Sequence, residues 1–293
     1  MTEGQLRTAA VTGGLLPHRV QVQAGALALG ALVWGADSDP TVVLVHGNGG
    51  HAHWWDALIP ALVPGWRVVV PDLRGHGTSE WPTEPAYGLP DFAGDLSAVL
   101  DDLAPGRVPV IGHSMGGRVV ARLAVDAPAR LRGVGLLDTR LGGVVPALAA
   151  RWRGRIAGTR DGRTYTSLAD ALAAFRFVPD EADVPPSIVD DLAFHAVTER
   201  APGEWTFRFD RAVLALDGDG AGDLLSLLAG IRCPVAILAG ETSWVMDRAE
   251  IGRLQATLPE ALVRVLPGAH HFFVSHPGPA GRALRAFLDG LPA

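Results

Sequence analysis

The sequence predicts an α/β fold with a mostly parallel central sheet that is covered by helices on both faces. Short continuous apolar runs, such as Val42–Val45 and Val108–Ile111, are typical of strands that are buried on both faces. Amphipathic helical patterns alternate with these runs, and strands that alternate with helices favour a parallel sheet. The chain has 293 residues, 48% of them hydrophobic, which is enough apolar material for a large core.

The first part of the chain predicts a hairpin followed by a regular alternation of elements. Residues 1–17 are expected to form an irregular lead-in, and Ala24-Gly25 is expected to join two antiparallel strands. The elements expected up to residue 138 are strands over His18–Gln23 and Ala26–Trp34, strand Val42–Val45, helix Trp54–Val63, strand Arg67–Val70, helix Asp91–Leu103, strand Val108–Ile111, helix Met115–Asp126 and strand Leu131–Leu137.

The alternation stops between about Thr139 and Gly230, where short helical segments and several prolines replace it. This change predicts an inserted, mainly helical cap over residues 139–230, between a first core part (1–138) and a second core part (231–293). Some of the cap aromatics are expected to line an apolar pocket: Trp152, Tyr165, Phe175, Phe177, Phe194, Trp205, Phe207 and Phe209. The second core part predicts strand Val235–Ala239, helix Arg248–Leu258, strand Leu262–Leu266 and helix Pro279–Leu288.

Composition excludes several classes of function. The net charge is −6, and the 25 basic residues, all arginine, form no basic stripe, so no nucleic-acid partner is expected. A local arginine cluster over residues 151–163 is expected to be an exposed helical surface. The single cysteine, Cys233, precedes a strand and is expected to be buried packing. No apolar run of 18 residues and no leader-like segment occurs, so we expect a cytoplasmic protein that acts on a small molecule without a membrane partner. The oligomeric state stays open.

The segment Gly112-His113-Ser114-Met115-Gly116 has the Gly-x-Ser-x-Gly pattern of a nucleophile elbow. It lies between an apolar strand and an amphipathic helix, and this context makes the pattern specific. A sharp turn there would expose the Ser114 hydroxyl above the sheet, and the flanking glycines would let the strand and the helix approach. The first amide of the helix, at Met115, would then donate to a developing oxyanion.

A second glycine-rich segment, His46-Gly47-Asn48-Gly49-Gly50, follows strand Val42–Val45. In a hydrolase it would supply the other oxyanion donor, and the Asn48 amide is the favoured one. The segment lacks the Gly-Lys-Ser/Thr ending of a phosphate-binding loop. Three side chains are expected in the substrate pocket: His46, His113 and Trp244. No His, Asp or Cys cluster has zinc-like spacing, so neither a metal nor another cofactor is expected.

Together these motifs resemble the α/β-hydrolase fold superfamily, in its serine-nucleophile branch with a helical cap. The matching pieces, in the family's order, are His46-Gly47 with Trp54 or Trp55, Pro71-Asp72-Leu73-Arg74-Gly75-His76-Gly77-Thr78-Ser79, Gly112-His113-Ser114-Met115-Gly116-Gly117 and Gly268-Ala269-His270-His271. The resemblance implies a mostly parallel central sheet with an inserted helical cap, a Ser-His-Asp or Ser-His-Glu triad and no metal. It also implies the chain order serine, acid, histidine.

The resemblance leaves two histidines for the base, His270 and His271, because both follow the last strand. His271 is favoured, since the family's base usually comes three residues after the glycine and before an aromatic residue, here Phe272. His270 remains the alternative. Adjacent residues cannot both point into one site in the same way.

The acid departs from the family's usual pattern. Most relatives carry it at the third residue beyond the glycine that ends the strand equivalent to Val235–Ala239, and here that residue is Ser243. A subset carries the acid after the preceding strand, which favours Asp138. Glu241 is the alternative and Asp247 comes third. Asp72 precedes the serine and is expected to brace its own loop.

The resulting functional hypothesis is a serine hydrolase that acts on a carboxylic ester or lactone of a small, largely apolar molecule. Carbon–carbon bond hydrolysis of a diketone-like substrate uses the same triad and is the second hypothesis. A third is a non-hydrolytic ligand-binding or biosynthetic member of the fold, which an incomplete triad would favour. The serine disfavours the dehalogenase and epoxide hydrolase branches, which use an aspartate at that position.

Overall fold

An eight-stranded sheet runs through the centre of the protein. The computed structural model describes residues 1–142, 162–218, 224–228 and 230–292. The strands of the sheet are β1 (His18–Ala24), β2 (Leu27–Trp34), β3 (Thr41–Val45), β4 (Arg67–Pro71), β5 (Val108–His113), β6 (Leu131–Leu137), β9 (Val235–Gly240) and β10 (Leu262–Leu266), whereas β7 (Val197–Ala201) and β8 (Glu204–Phe207) form a separate hairpin.

The order of the strands is β1-β2-β4-β3-β5-β6-β9-β10. Strand β2 pairs antiparallel with β1 and with β4, and all other neighbours in the sheet are parallel. The predicted hairpin and the predicted parallel sheet are therefore confirmed. Because parallel strands end at one edge, the loops after β3, β5, β6, β9 and β10 meet there, and ligands of open α/β sheets bind at that edge.

Helices cover both faces of the sheet. The helices of the core are α1 (Glu3–Thr12), α2 (Ile59–Leu62), α3 (Leu89–Leu103), α4 (Met115–Asp126), α8 (Arg248–Thr257), α9 (Phe272–Ser275) and α10 (Pro277–Asp289). In β3, Val43 packs into the core layer that holds α3 and α4, and Leu44 packs into the opposite layer that holds α2 and α10. This alternation explains the continuous apolar run, since both faces of the strand are buried.

Two predicted helices differ from the observed ones. The helix expected over Trp54–Val63 is a 3-10 segment, Ala52–Leu58, that continues into the short helix α2. The lead-in of residues 1–17 contains helix α1, which begins with a capping box between Thr2 and Gln5. The periodicity of α1 was weak because polar residues occupy its buried face: Thr8 is buried and lies 3.4 Å from the Asp191 carboxylate.

The region between β6 and β9 contains helices and one unexpected hairpin. Its described elements are α5 (Leu168–Ala173), α6 (Pro186–Ala196), the hairpin β7–β8, a 3-10 segment (Arg211–Gly218) and α7 (Leu225–Leu228). The hairpin forms because Gly203, with φ 75°, makes a tight turn and Val197 pairs with Phe207. Most of the predicted arginine cluster, and Trp152, lie outside the described residues. No helix in the described part of the chain is long and apolar enough to cross a membrane.

Candidate active site

Ser114 occupies a sharp turn between β5 and α4. Its backbone has φ 52° and ψ −118°, a conformation that non-glycine residues rarely adopt. A Cβ atom at Gly112 would overlap the backbone of Gly116, and one at Gly116 would overlap the backbone of His46. The glycines on both sides of Ser114 are therefore required by close backbone contact, and the sharp strand-to-helix turn predicted there is present.

The glycine-rich loop after β3 lies directly against this turn. A Cβ atom at Gly47 would be 2.8 Å from Nδ1 of His113 and 3.1 Å from Cβ of Ser114, so a side chain there would overlap the His113 ring and crowd the serine. Two histidines hold the loop in place. Nε2 of His46 accepts a hydrogen bond from the Leu73 amide at 3.0 Å, and Nε2 of His76 accepts one from the Gly49 amide at 3.1 Å.

These two histidines are neutral at ordinary pH because they are buried. Burial lowers the pKa of His76 to about 3, and the neighbouring His46 lowers it further in the same direction. Burial also lowers the pKa of His46, against the opposing effect of Asp72. A neutral ring is what the loop needs, since an accepting Nε2 cannot carry a proton.

Asp138 lies immediately after β6, where the sequence predicted an acid. Its side chain is fully buried, and its backbone has a positive φ of 42°. The carboxylate accepts hydrogen bonds from the Gly240 amide (2.8 Å), the Ser243 hydroxyl (2.6 Å) and Nδ1 of His270 (2.9 Å). Three donors offset the cost of burying a charge and fix the carboxylate in one orientation.

The histidine that meets this carboxylate is His270, and the expected pairing of Asp138 with His271 is absent. Because the acceptor is a carboxylate, Nδ1 of His270 carries the hydrogen and Nε2 is left with a lone pair. The neighbouring ring of His271 packs against Trp54 and Phe177, with ring centroids 4.9 Å and 5.5 Å apart. The side chains of His270 and His271 therefore point in different directions. Only His270 reaches Asp138 at the end of β6.

His271 has a different environment. Its Nδ1 is buried without a hydrogen-bond partner among the described residues and lies 3.8 Å from the Glu181 carboxylate. Burial, followed by the proximity of His270 and His113, lowers the pKa of His271 well below its usual value. The ring is therefore a neutral, mainly packing side chain in this structure.

The other carboxylates weighed for the acid lie elsewhere. Glu241 is exposed, and Asp247 caps the N-terminus of α8 by accepting the Glu250 amide at 2.7 Å. Asp72 braces its own loop, as predicted, because it accepts the amides of Ala52 (2.6 Å) and Thr78 (2.8 Å). Asp138 is thus the one of these four carboxylates that contacts a histidine of the Gly268–His271 segment.

A small cavity of about 20 Å³ adjoins the serine. Among the described residues, its lining contains no carboxylate or guanidinium group and consists of Gly47, Asn48, Gly50, Trp54, His113, Ser114, Val178, His270 and His271. Of the three side chains expected in the pocket, His113 lines it. His46 is buried behind the loop, and Trp244 is 39% exposed at the surface. Neither of these two lines the cavity, since the His46 ring is turned toward the Leu73 amide and Trp244 is partly exposed to solvent.

His113 connects the elbow to the turn that carries His270 and His271. Its Nε2 lies 3.0 Å from the carbonyl oxygen of His270 and therefore donates to it. Burial lowers the pKa of His113 well below its usual value, with a further contribution from His270. The neutral ring links the strand that carries Ser114 to the loop that carries His270.

Two groups of side chains have the composition of metal sites. His113, His270 and His271 offer ring nitrogens within 4.8 Å of one another, and so do His53, His195 and the carboxylate of Asp191. The rings of His53 and His195 are stacked at 3.5 Å with 6° between their planes, so their nitrogen lone pairs cannot converge on one ion. The sequence did not reveal these groups because their members come from distant segments.

Sequence reasoning also missed two residues, one that accepts hydrogen bonds from the segment around His270 and one that donates to Asp138. Glu181 accepts three hydrogen bonds from residues 269–275, and Ser243 donates a hydrogen bond to Asp138. Nothing near Glu181 in the chain marks it, since it lies between Asp180 and Ala182-Asp183 in a proline-flanked segment with no strand or helix pattern. Ser243 carried a signal: it occupies the position where most relatives carry the acid.

Comparison with known proteins agrees with this architecture. The family model of the α/β hydrolase fold matches residues 40–277. The chain is similar to esterase Rv0045c of Mycobacterium tuberculosis, with 30% identity over 87% of this chain and 90% of that protein. The crystal structure of that esterase superposes with a TM-score of 0.74, at 29% identity over 98% of this chain and 97% of the other.

Two further relatives carry other activities in their names. A pimeloyl-[acyl-carrier protein] methyl ester esterase of Aeromonas hydrophila is 28% identical over 81% of this chain and 91% of its own length. A magnesium-chelatase 30 kDa subunit of Rhodobacter capsulatus is 30% identical over 80% of this chain and 82% of its own length. The family match, the sheet order and the elbow lead to one conclusion. The chain belongs to the α/β-hydrolase fold family, as an esterase-like hydrolase.

Proposed function

We propose that the protein hydrolyses a carboxylic ester or lactone of a small, largely apolar molecule, with Ser114 as nucleophile, His270 as base and Asp138 as the acid that orients the base. The observation that carries the proposal is the 2.9 Å hydrogen bond from His270 to Asp138, because His270 also lines the cavity beside Ser114. This choice replaces His271 by His270, because the carboxylate sets the tautomer of the histidine that it contacts.

The chemistry proceeds in two acyl-transfer steps. Ser114 Oγ attacks the substrate carbonyl carbon while Nε2 of His270 takes its proton, and the amides of Met115 and Asn48 donate to the oxyanion. The intermediate collapses to an acyl-enzyme, and His270 returns the proton to the departing alcohol oxygen. Water then attacks the acyl-enzyme while Nε2 of His270 takes one of its protons. His270 returns this proton to Ser114 Oγ as the acyl–oxygen bond breaks, which releases a carboxylic acid and free Ser114.

The walls of the cavity support a small and uncharged acyl group. Trp54 and Val178 line the cavity, and Phe177 packs against Trp54 with 5.6 Å between ring centroids. Because the cavity is small, about 20 Å³, we expect a short acyl chain to need less rearrangement of its walls than a long one. The esterase names of two relatives favour an ester over an amide or a ketone.

The alternatives have less support. A ligand-binding member of the fold would be favoured by an incomplete triad, whereas here serine, histidine and acid lie at one edge of the sheet. Hydrolysis of a diketone carbon–carbon bond needs the same triad, so the geometry does not separate it from ester hydrolysis. A substrate panel does.

The test is hydrolysis of nitrophenyl acetate, butyrate and octanoate by the purified protein and by Ser114→Ala. We expect turnover of the acetate to exceed that of the octanoate, and the variant to lose about 10⁴-fold or more. Equal rates for the two proteins would exclude Ser114 as the nucleophile. If neither protein turns over any ester, covalent labelling by a small phosphonate and a diketone substrate decide between an inactive triad and the carbon–carbon alternative.

A further inference from the structure

Glu181 is a buried carboxylate of the region between β6 and β9. It lies between α5 and α6, and its side chain is only 1% exposed. Burying a carboxylate is costly unless hydrogen bonds replace the water that it loses. The partners that replace water at Glu181 come from a different part of the chain, the segment that follows β10.

Three donors of that segment converge on the carboxylate. Oε1 of Glu181 accepts the Ala269 amide at 3.0 Å and the Ser275 hydroxyl at 2.8 Å, and Oε2 accepts the His271 amide at 2.7 Å. The two amides belong to the residues immediately before and after His270. Glu181 therefore fixes the backbone on both sides of that histidine.

The core holds this segment through other atoms. Thr242 donates to the carbonyl oxygen of Gly268 through its amide and its hydroxyl, both at 3.1 Å, and His113 donates to the carbonyl oxygen of His270. In the described part of the chain, the amides of Ala269 and His271 have Glu181 as their acceptor. Without it, these two partly buried donors would lose their acceptor, or the turn would rearrange to find new partners.

We propose that Glu181 is a positioning residue, which holds the turn of residues 269–271 so that His270 keeps its hydrogen bond to Asp138 and faces Ser114. The inference rests on the proposed function, since the role of His270 is part of it. Glu181 is not among the residues that line the cavity beside Ser114. Its effect on the reaction comes through the placement of the base, where a misplacement of about 1 Å can cost about 100-fold in rate.

The experiment compares Glu181→Ala and Glu181→Gln with Asp180→Asn, which removes the same charge at the exposed neighbouring residue. We expect Glu181→Ala to lower kcat about 100-fold with KM changed by less than about threefold. Glu181→Gln should fall between this variant and the wild type. Its oxygen can still accept, but its NH₂ group then faces at least one amide N–H. Asp180→Asn should match the wild type.

A spectroscopic signal separates positioning from general stability. The proton that His270 donates to Asp138 should give a low-field resonance in the proton spectrum, identified by its loss in His270→Gln. We expect this resonance to broaden or vanish in Glu181→Ala while circular dichroism and cooperative melting still report a folded protein. If the alanine variant does not fold, the glutamine variant takes the same two measurements.

The inference is overturned if folded Glu181→Ala keeps kcat within twofold of the wild type. A raised KM at unchanged kcat would also overturn it, because Glu181 would then act on substrate binding. Failure of the proposed function gives a different result, namely wild-type turnover by Ser114→Ala in the same assay. A loss of activity in Ser114→Ala with none in Glu181→Ala rejects only the role of Glu181.

Discussion

The Ser243 hydroxyl donates a 2.6 Å hydrogen bond to Oδ1 of Asp138. The two residues follow neighbouring strands, since β9 pairs in parallel with β6 and Leu238 lies opposite Leu137. The carboxyl ends of parallel strands meet at one edge, so an acid after either strand can reach the same histidine. In this chain the proposed acid, Asp138, follows β6, and Ser243 at the commoner acid position donates a hydrogen bond to it.

Because residues 138 and 243 are in contact, we predict that the carboxylate can be moved from residue 138 to residue 243. We expect Asp138→Asn/Ser243→Asp to be at least about tenfold more active than Asp138→Asn alone, because a carboxylate at residue 243 would again face His270. The measurement is kcat/KM for nitrophenyl acetate with both variants. Equal activity of the two would mean that a carboxylate at residue 243 does not reach the ring.

Asp138 itself is expected to be essential for turnover. Asp138→Asn should lower kcat by about 10⁴, because an amide no longer holds His270 in the tautomer with its hydrogen on Nδ1. Glu241→Gln is the matched control and should keep near-wild-type activity, since Glu241 is exposed. The reverse result, an active Asp138→Asn with an inactive Glu241→Gln, would move the acid to Glu241.

The two adjacent histidines are expected to differ strongly. His270→Gln should lose about 10⁴-fold in kcat, as expected for removal of a general base that acts with a nucleophile. His271→Gln should lose less than about tenfold, because its ring packs against Trp54 and does not contact Asp138. Steady-state kinetics of the two folded variants measure this difference. A greater loss in His271→Gln would restore His271 as the base.

Stability is expected to fall as the pH falls below about 6.5, through the buried histidines. The pKa of His76 is about 3 in the folded protein, chiefly because of burial. The unfolded chain therefore binds more protons between about pH 6.5 and 3, and the neutral folded form loses stability across that window. For this one group the loss at pH 5 is about 2 kcal/mol in the free energy of unfolding.

The check is chemical denaturation of the wild type and His76→Gln between pH 7 and 5. A glutamine can accept from the Gly49 amide and donate to the Arg74 carbonyl oxygen as the neutral ring does, without titrating. Its free energy of unfolding should therefore fall less steeply with pH. His18→Gln, at an exposed position, is the control. Identical slopes for wild type and His76→Gln would contradict the low pKa.

Much of the fold could be predicted because its determinants are local. The apolar run at Val42–Val45 is continuous since both faces of β3 are buried, and the elbow at Ser114 needs glycines within two residues of the serine. Helix α1 was missed because buried threonines replace the usual apolar stripe. The hairpin β7–β8 was missed because strand β7, Val-Thr-Glu-Arg-Ala, has no recognisable strand pattern by itself.

The sequence by itself determined the α/β class, the order of most core elements, the elbow serine and a carboxylate after β6, because each depends on residues adjacent in the chain. Only the tertiary structure decided which histidine meets that carboxylate. His270 and His271 are equivalent in a local pattern, and the choice depends on how the turn after β10 faces the end of β6. Glu181 and Ser243 also required the structure, since their partners lie about 90 and 105 residues away in sequence.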